Sequence, residues 1–316
     1  MLQKNKPIPS VWFNNNHLHH QHMPVNDAII LAGGVGSRML PASLYSPKEM
    51  LPLVDTPIIN HIIWEARRAG VKRVHLVLSD IKKEILESFL AADESRFEGI
   101  RNDLPRDSLR LGGENLEVEL YLQKEARGVG DAISVAIGAT EGPFLVLLGD
   151  MLIMQSHNPP SLSPEENASD ASLKMIEDYR KNGLPCVGVI EVEPSQVTKY
   201  GVVSVSDQKV KSIVEKPEMS VAPSSLVLCG RYLFPENTQE LLDACTYEEY
   251  GELQSIHMLN RIISETGLSY VEMENMVMYD SGDPLTWLKS QVDYALRRED
   301  MARSFSKWLE DRLAEN

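Results

Sequence analysis

Short apolar runs alternate with segments of helical period over most of the chain. Runs typical of β-strands, either continuously apolar or alternating, occur at 28–32, 74–78, 116–122, 144–148, 186–192, 227–233 and 277–280. Apolar residues recur at helical spacing at 58–66, 80–90, 128–137, 171–181 and 248–263. Because strands that alternate with helices form βαβ units with right-handed crossovers, this pattern predicts an α/β protein with a parallel sheet.

Capping residues mark where two of the helices begin. Thr56 followed by Pro57 is typical of a helix N-cap with proline in the first turn, and Gly70 predicts the end of that helix. An aspartate followed by proline gives a similar signal at 283–284. We expect one or two amphipathic helices from there to about residue 313.

The polar segments suggest a domain organisation. Residues 1–25 lack a helical or strand period and contain several histidines, so we expect a flexible N-terminal extension. The main domain then spans 26–298, and 299–316 forms a C-terminal amphipathic helix. The charged, turn-rich stretch at 93–115 and the proline-rich stretch at 155–169 are expected to be surface excursions, the second being a conceivable lid.

Composition narrows the class of protein. The chain has 316 residues, 43% of them hydrophobic, which is enough for a sizeable core. A net charge of −15 argues against nucleic acid or an anionic membrane as a partner. Without an apolar run near the length of a membrane span or a secretory signal, the chain is expected to be cytoplasmic. Cys186, Cys229 and Cys245 are then expected to be free thiols.

A glycine-rich loop at 33–41 follows the first predicted strand. Glycines let bare backbone amides converge on a phosphate, and Arg38 and Lys48 add positive charge nearby. A Walker A loop would need Gly-Lys-Ser/Thr, which is absent, and a dinucleotide-binding loop would have a third glycine where Met39 stands. A tight turn that merely needs glycines stays an alternative, although it leaves Arg38 and Lys48 unexplained.

Two predicted strands end in an aspartate. Asp150 and Asp280 each emerge at the carboxyl end of a strand, where ligands of open α/β sheets bind. Aspartates at such positions also serve as turn residues or helix N-caps. Position alone therefore leaves a structural role open for both.

These motifs resemble one family over most of the chain. Gly-Gly-x-Gly-x-Arg-Met-Leu-Pro at 33–41 and Pro-Lys-Glu-Met-Leu-Pro at 47–52 resemble the sugar-1-phosphate nucleotidylyltransferases, and within them the bacterial-type UTP–glucose-1-phosphate uridylyltransferases. The similarity extends from about Asn26 to about Arg298. It implies the nucleotide-diphospho-sugar transferase fold, which is α/β and Rossmann-like, with a three-layer, mixed, mainly parallel sheet and helices on both faces. It also implies uridylyl transfer from UTP to glucose 1-phosphate, assisted by magnesium, without a covalent intermediate.

The resemblance also assigns roles to individual residues. It implies that the nucleotide is bound by Ala32, Gly33, Gly34, Gly36, Lys48, Gln123, Gly128 and Asp150. It implies that the sugar phosphate is bound by Gly201, Glu215 and Lys216, which belong to a predicted hairpin at 199–217. Arg38, Lys48 and Lys216 are the implied catalytic residues, and Asp150 and Asp280 the implied Mg²⁺ ligands.

Gln123 is the implied base-reading residue. Its amide offers one donor and one acceptor, which can meet the N3–H and a carbonyl of uracil. Two departures from the family pattern follow it: Lys124 stands where a glycine is usual and Asp131 where a histidine is usual. Both put fine nucleotide selectivity in doubt.

Other functions stay open beside this one. The nearest is a thymidylyltransferase or a different sugar specificity, and another is a catalytically weak regulatory homologue, which the presence of Arg38 disfavours. A nucleotide-sugar-dependent glycosyltransferase would carry an Asp-x-Asp motif, which the sequence after Gly149 does not supply. A homo-oligomer, either a dimer or a tetramer, is expected.

Overall fold

The computed structural model describes residues 22–90, 103–109, 116–125, 127–244 and 255–315. The strands are β1 (Asp27–Ala32), β2 (Pro52–Leu53), β3 (Thr56–Pro57), β4 (Arg73–Leu78), β5 (Glu117–Leu122), β6 (Phe144–Leu148), β7 (Met151–Met154), β8 (Cys186–Glu191), β9 (Gly201–Ser206), β10 (Lys209–Glu215), β11 (Leu226–Phe234), β12 (Ser269–Glu272) and β13 (Val277–Asp280). The helices in the described residues are α1 (Ile58–Arg68), α2 (Asp80–Leu90), α3 (Val129–Ala136), α4 (Pro164–Asn167), α5 (Ala171–Asn182), α6 (Thr238–Asp243), α7 (Ser255–Glu265), α8 (Pro284–Arg297) and α9 (Ala302–Ala314).

Nine of these strands form one mixed sheet in the order β5-β4-β1-β6-β11-β8-β12-β10-β9. The first four strands pair in parallel, which is the βαβ arrangement that the apolar pattern predicts. Only β10 and β11 run against the common direction in the described part of the sheet. The expected mixed, mainly parallel sheet is confirmed.

Helices cover both faces of the sheet because successive strand residues point to opposite sides. Ala28 and Ile30 of β1 pack with α1 and α5 in one apolar cluster. Ile29 packs with α3, α6 and α7 in a second cluster on the other face. The three-layer architecture is thereby confirmed.

Most predicted elements are found within a residue or two of their expected bounds. Asp283 caps α8 as expected, since its carboxylate accepts from the backbone amides of Leu285 and Thr286. The predicted amphipathic helices after it are α8 and α9. Cys186 and Cys229 are buried free thiols, as expected.

The prediction that Thr56 caps the first helix is wrong. Thr56 pairs with Leu53 in the small β2–β3 ladder, which holds its backbone extended. The helix α1 therefore begins at Ile58, directly after Pro57. Strands β7 and β12 were not predicted at all, and both are only four residues long.

Hydrogen bonds hold the segment 155–169 in place. Ser163 and Glu166 form a capping box at the start of α4, and Gln155 donates to the carbonyl of Ala168 at 3.0 Å. Arg68 of α1 donates to the carbonyl of Glu165 at 2.5 Å. The bond from Arg68 joins the segment to α1, and a role as a lid stays a prediction.

Several sequence predictions lie outside the described residues. These are most of the N-terminal extension, most of the 93–115 excursion, the first part of the helix expected at 248–263, and Cys245.

Candidate functional site

The candidate residues gather at one edge of the parallel strands. Gly33 follows β1, Gln123 follows β5, and Gly149 with Asp150 follows β6. The amide of Gly149 donates to the carbonyl of Leu31 at 2.8 Å, and a Cβ at Gly149 would come within 2.7 Å of that oxygen. A side chain at 149 would therefore push apart the ends of β1 and β6, between which ligands of such sheets bind.

The glycine-rich loop bends back so that Lys48 lies beneath it. Gly36 has a φ of 69° and accepts a hydrogen bond from the hydroxyl of Ser43 at 2.9 Å. Gly34 is exposed, and a Cβ on it would meet only the end of the Lys48 side chain, at 3.9 Å, so this face of the turn is open beside an ammonium group. Such a turn is suited to an anion.

Lys48, Asp150 and Asp280 form one charged cluster. Lys48 is paired with the carboxylate of Asp150 and is itself mostly buried. Burial alone would lower the pKa of Lys48, but the carboxylates of Asp150, Glu49 and Asp280 outweigh it and raise the pKa. Burial, together with the neighbouring charge of Asp150, raises the pKa of Asp280. The cluster thus holds more carboxylates than cations, and two carboxylates close to one another are what a divalent cation requires.

Strand pairing brings the two carboxylates together. Asp280 lies opposite Met151 in the β7–β13 ladder, and the amide of Ser281 donates to the carbonyl of Asp150 at 3.2 Å. The amide of Gly282 donates to the Asp280 carboxylate at 2.6 Å. In the described residues no group of three or more metal-ligating side chains occurs, so further ligands would have to come from a substrate or water.

A buried ion pair behind Lys48 was missed by the sequence reasoning. The ammonium of Lys82 lies 2.9 and 2.7 Å from the two carboxylate oxygens of Glu49 and donates to the carbonyl of Ala32 at 2.7 Å. Burial raises the pKa of Glu49 and lowers that of Lys82. The pair ties the turn that carries Lys48 to α2 and to the end of β1. Only the position of Glu49 next to Lys48 in the motif could have hinted at it.

The Gln123 side chain is held in one orientation. Its Nε2 donates to the carboxylate of Asp131 at 2.8 Å and to the carbonyl of Gly128 at 3.2 Å. Its Oε1 would lie 2.9 Å from a Cβ on Gly33, so Gly33 must be glycine for the amide to sit there. Both amide hydrogens are used within the protein, and the simultaneous donor-and-acceptor contact expected from the sequence is not available in this arrangement.

The sugar-phosphate candidates lie at the open end of the β9–β10 hairpin. Glu215 pairs with Gly201 across the ladder, and the amide of Lys216 donates to the carbonyl of Tyr200 at 3.0 Å. A Cβ on Gly201 would come within 3.3 Å of the Glu215 carboxylate. Lys216 has a φ of 42°, an uncommon backbone conformation for a lysine and one that often marks a functional position.

An open cavity lies beside Asp280, which is the one member of these two groups of residues that lines it. It has a volume of about 420 Å³ and is lined by Tyr200 and Asp280 among others. Burial and the charges of Asp280 and Asp283 raise the pKa of Tyr200 to about 12. A space of this size is typical of small-molecule sites.

Arg38 stands apart from the other candidates. It lies exposed on the 3₁₀ turn Ser37–Met39 and makes no hydrogen bond or ion pair with any residue in the described ranges. The structure therefore brings together Lys48, Asp150 and Asp280, and separately Gly201, Glu215 and Lys216, whereas Arg38 remains free to meet a ligand. No helix in the described part of the chain is both long and apolar enough to cross a membrane.

Known proteins match this chain over most of its length. The family model described as "Nucleotidyl transferase" matches residues 27–295. A UTP–glucose-1-phosphate uridylyltransferase 2 from Staphylococcus saprophyticus is 33% identical over 288 residues, which cover 88% of this chain and 94% of that protein. A UTP-bound UGPase from Acinetobacter baumannii has a TM-score of 0.76 at 27% identity, covering 90% of this chain and 99% of that one. A UDP-glucose pyrophosphorylase complexed with UDP-glucose has a TM-score of 0.71 at 27% identity, covering 86% and 98%.

Proposed function

Because this chain belongs to the nucleotidyl transferase family, we propose that it transfers the uridylyl group of UTP to glucose 1-phosphate, giving UDP-glucose and pyrophosphate. The observation that carries the proposal is the Lys48–Asp150 ion pair, which lies beside Asp280 and directly under the glycine-rich loop. The relatives named for this activity and the neighbours that hold UTP and UDP-glucose support the choice of substrates.

The reaction needs alignment and charge neutralisation rather than a base. A phosphate oxygen of glucose 1-phosphate is already anionic near neutral pH, and it attacks the α-phosphorus of UTP in line. The bond from that phosphorus to the β-phosphate oxygen breaks, and pyrophosphate leaves with its electrons. Catalysis of such phosphoryl-type transfers comes mainly from positioning and electrostatic stabilisation.

In this proposal Arg38, the loop amides and Lys48 bind the triphosphate of UTP. Arg38 and the amides of Gly33, Gly34 and Gly36 would hold the β- and γ-phosphates, which become pyrophosphate. Lys48 would neutralise the triphosphate. Its ammonium already lies beside the loop and remains protonated, because its neighbours raise its pKa.

The sugar phosphate would lie on the hairpin side. Lys216 would hold the attacking phosphate, Glu215 would accept from sugar hydroxyls, and Gly201 would let the ligand approach the backbone. Lys216 lies 3.4 Å from the Glu215 carboxylate and is largely exposed, so its ammonium is accessible to an incoming anion.

Asp150 and Asp280 would hold Mg²⁺ through their carboxylates. When bound, the ion would neutralise charge on the phosphoryl oxygens. Lys48 is the cation that faces these carboxylates in the structure, so we expect it to turn towards the triphosphate when the ion binds.

The reaction is tested by pyrophosphate release from UTP, dTTP, CTP, ATP and GTP, each crossed with several sugar 1-phosphates, with and without Mg²⁺. We expect release from UTP with glucose 1-phosphate, and only when Mg²⁺ is present. Release only with dTTP would move the chain to the thymidylyltransferases. No release from any pair would contradict the proposal and favour a regulatory homologue.

The role of Lys216 is tested by Lys216→Ala, with Lys211→Ala as the matched control on β10, the strand that Lys216 follows. Lys211 is also exposed and lies 3.7 Å from Asp207, away from the hairpin end. Loss of a charge that stabilises the transition state costs about 10² to 10³ in kcat, so we expect a loss of that size for Lys216→Ala. Lys211→Ala should keep full turnover, and both variants should unfold at the wild-type denaturant midpoint. Unchanged turnover in Lys216→Ala would remove that residue from the mechanism.

A further inference from the structure

Asp131 fixes the orientation of the Gln123 amide, because the hydrogen bond between the two side chains can form in only one direction. An ionised carboxylate only accepts hydrogen bonds, and so does a backbone carbonyl. Because the amide group faces Asp131 at 2.8 Å and the carbonyl of Gly128 at 3.2 Å, its NH₂ end must point to both of them. Flipping the amide would bring its oxygen against two acceptors.

The Asp131 carboxylate is itself held in place. It lies in the first turn of α3, where the helix dipole favours a negative charge, and it is buried. Its second oxygen lies 3.3 Å from the guanidinium of Arg127. Asp131 is thus bound by Arg127 through one oxygen and holds Gln123 through the other.

The Gln123 oxygen is left for a ligand. Oε1 accepts no hydrogen bond from the described residues, and it faces Gly33 at the root of the glycine-rich loop. It can therefore accept one hydrogen bond from the edge of a base that lies over this loop.

We propose that Asp131 is a positioning residue that sets base selectivity by presenting Gln123 as an acceptor only. Uracil and thymine carry an N3–H donor that such an oxygen accepts. Cytosine carries an unprotonated N3 whose lone pair would face the oxygen, so it is rejected. A site built to bond one polar group rejects an analogue that lacks it, because the site's own polar atom is left unpaired. This inference rests on the proposed nucleotide site. It adds Asp131 as the residue that orients Gln123, the side chain proposed to contact the base.

The test is the ratio of kcat/KM for UTP to that for CTP in Asp131→Asn, which keeps the shape of the side chain but can donate as well as accept. In this variant the amide at 131 can donate to the Gln123 oxygen, so a flipped Gln123 opposes one acceptor, the carbonyl of Gly128, instead of two, and its NH₂ group then faces cytosine N3. We expect the ratio to fall by about tenfold or more, the size of one hydrogen bond, with the change mainly in KM. The UTP to dTTP ratio should stay unchanged, since both bases carry N3–H.

Ser134→Ala is the matched control on the same helix. The Ser134 hydroxyl donates to the backbone carbonyl of Asp131 at 2.7 Å and does not touch the amide of Gln123. It should leave the UTP to CTP ratio at the wild-type value. Equal ratios in Asp131→Asn and the wild type would overturn the inference.

A double-mutant cycle shows whether Asp131 acts through Gln123. Gln123→Met should also lower UTP selectivity, and Gln123→Met combined with Asp131→Asn should lose no more than Gln123→Met alone. Additive losses would contradict the inference. Equilibrium binding of UTP and CTP to each variant tests it even if no sugar phosphate is turned over, in which case the proposed reaction fails separately.

Discussion

The pKa of a buried lysine in this protein depends on the charges of its neighbours. Lys48 stays charged because three carboxylates outweigh its burial, whereas burial, with the charge of Lys48, outweighs the carboxylates of Glu49 and Asp150 at Lys82 and lowers its pKa. The two lysines lie in one region but have different tasks. We expect Lys48, which lies beside the glycine-rich loop, to meet the ligand, and Lys82 to serve as an internal support.

His61 is a buried side chain with no partner for its charge. Neither ring nitrogen has a hydrogen-bond partner in the described structure, and the ring packs against Trp64 and Tyr294. Burial, and then the charges of Arg298 and His157, lowers the pKa of His61 to about 4. The unfolded chain, with an ordinary histidine pKa near 6.5, therefore takes up the proton first as the pH falls.

We expect His61 to make the protein less stable below pH 6.5. The neutral His61 ring makes its full contribution to the free energy of unfolding above that pH. This contribution is lost as the pH falls towards 4, by about 2 kcal/mol between pH 7 and pH 5. Urea unfolding of the wild type and of His61→Phe at both pH values measures this. The wild type should lose about 2 kcal/mol more than the variant across that interval. An equal loss in both proteins would show that His61 is protonated without cost in the fold.

The glycine-rich loop is the element on which the proposed nucleotide site depends. Gly34 leaves the space beside the end of Lys48 empty, and Gly33 is required by the position of Gln123. The loop is anchored by the Ser43 bond to Gly36 and, through the turn that follows it, by the Glu49–Lys82 pair.

Gly34→Ala tests whether the empty space is reserved for a ligand. A Cβ there meets only Lys48 at 3.9 Å, and a Cβ at Gly138, the control position, meets nothing within 4 Å. Both substitutions should therefore change the free energy of unfolding by less than about 1 kcal/mol. Only Gly34→Ala should raise the KM for UTP, by about tenfold, since its methyl would stand where loop amides meet a phosphate. Equal KM values in the two variants would place the triphosphate elsewhere.

A buried ion pair joins distant parts of the protein. Arg231 on β11 donates to both carboxylate oxygens of Glu65 on α1, at 2.8 and 2.9 Å, and to the carbonyl of Met151 at 2.9 Å. Both side chains are almost fully buried. The pair therefore links the helix α1 to the antiparallel strand β11 and, through Met151, to β7, the strand that follows Asp150.

Arg231→Met should destabilise the protein by about 3–5 kcal/mol, because it leaves the Glu65 carboxylate buried and unpaired. Glu65→Leu combined with Arg231→Met should recover most of that loss, since no charge remains in the core. Thermal or urea unfolding of the three proteins checks this. A double variant as unstable as Arg231→Met would show that the backbone bond to Met151 matters more than the charge pair.

Much of the architecture could be predicted from sequence because its signals are local. The apolar periods gave the strands and helices of the parallel half, and Asp283 with Pro284 correctly predicted the start of α8. Thr56 gave a similar signal and was misleading, because its backbone is used by the ladder with Leu53. Local propensity could not foresee that pairing, nor the four-residue strands β7 and β12, which exist only through their partners.

The amino-acid sequence alone determined the order of elements, the glycine-rich loop and the residue types that the reaction needs. Folding in three dimensions determined which of them meet: Lys48 with Asp150, Asp280 beside them, and Asp131 on the amide of Gln123. Helical and strand periods depend on residues a few positions apart, so the sequence displays them. The charge and orientation of a side chain depend on neighbours up to a hundred or more positions away, which only the packed sheet brings into contact.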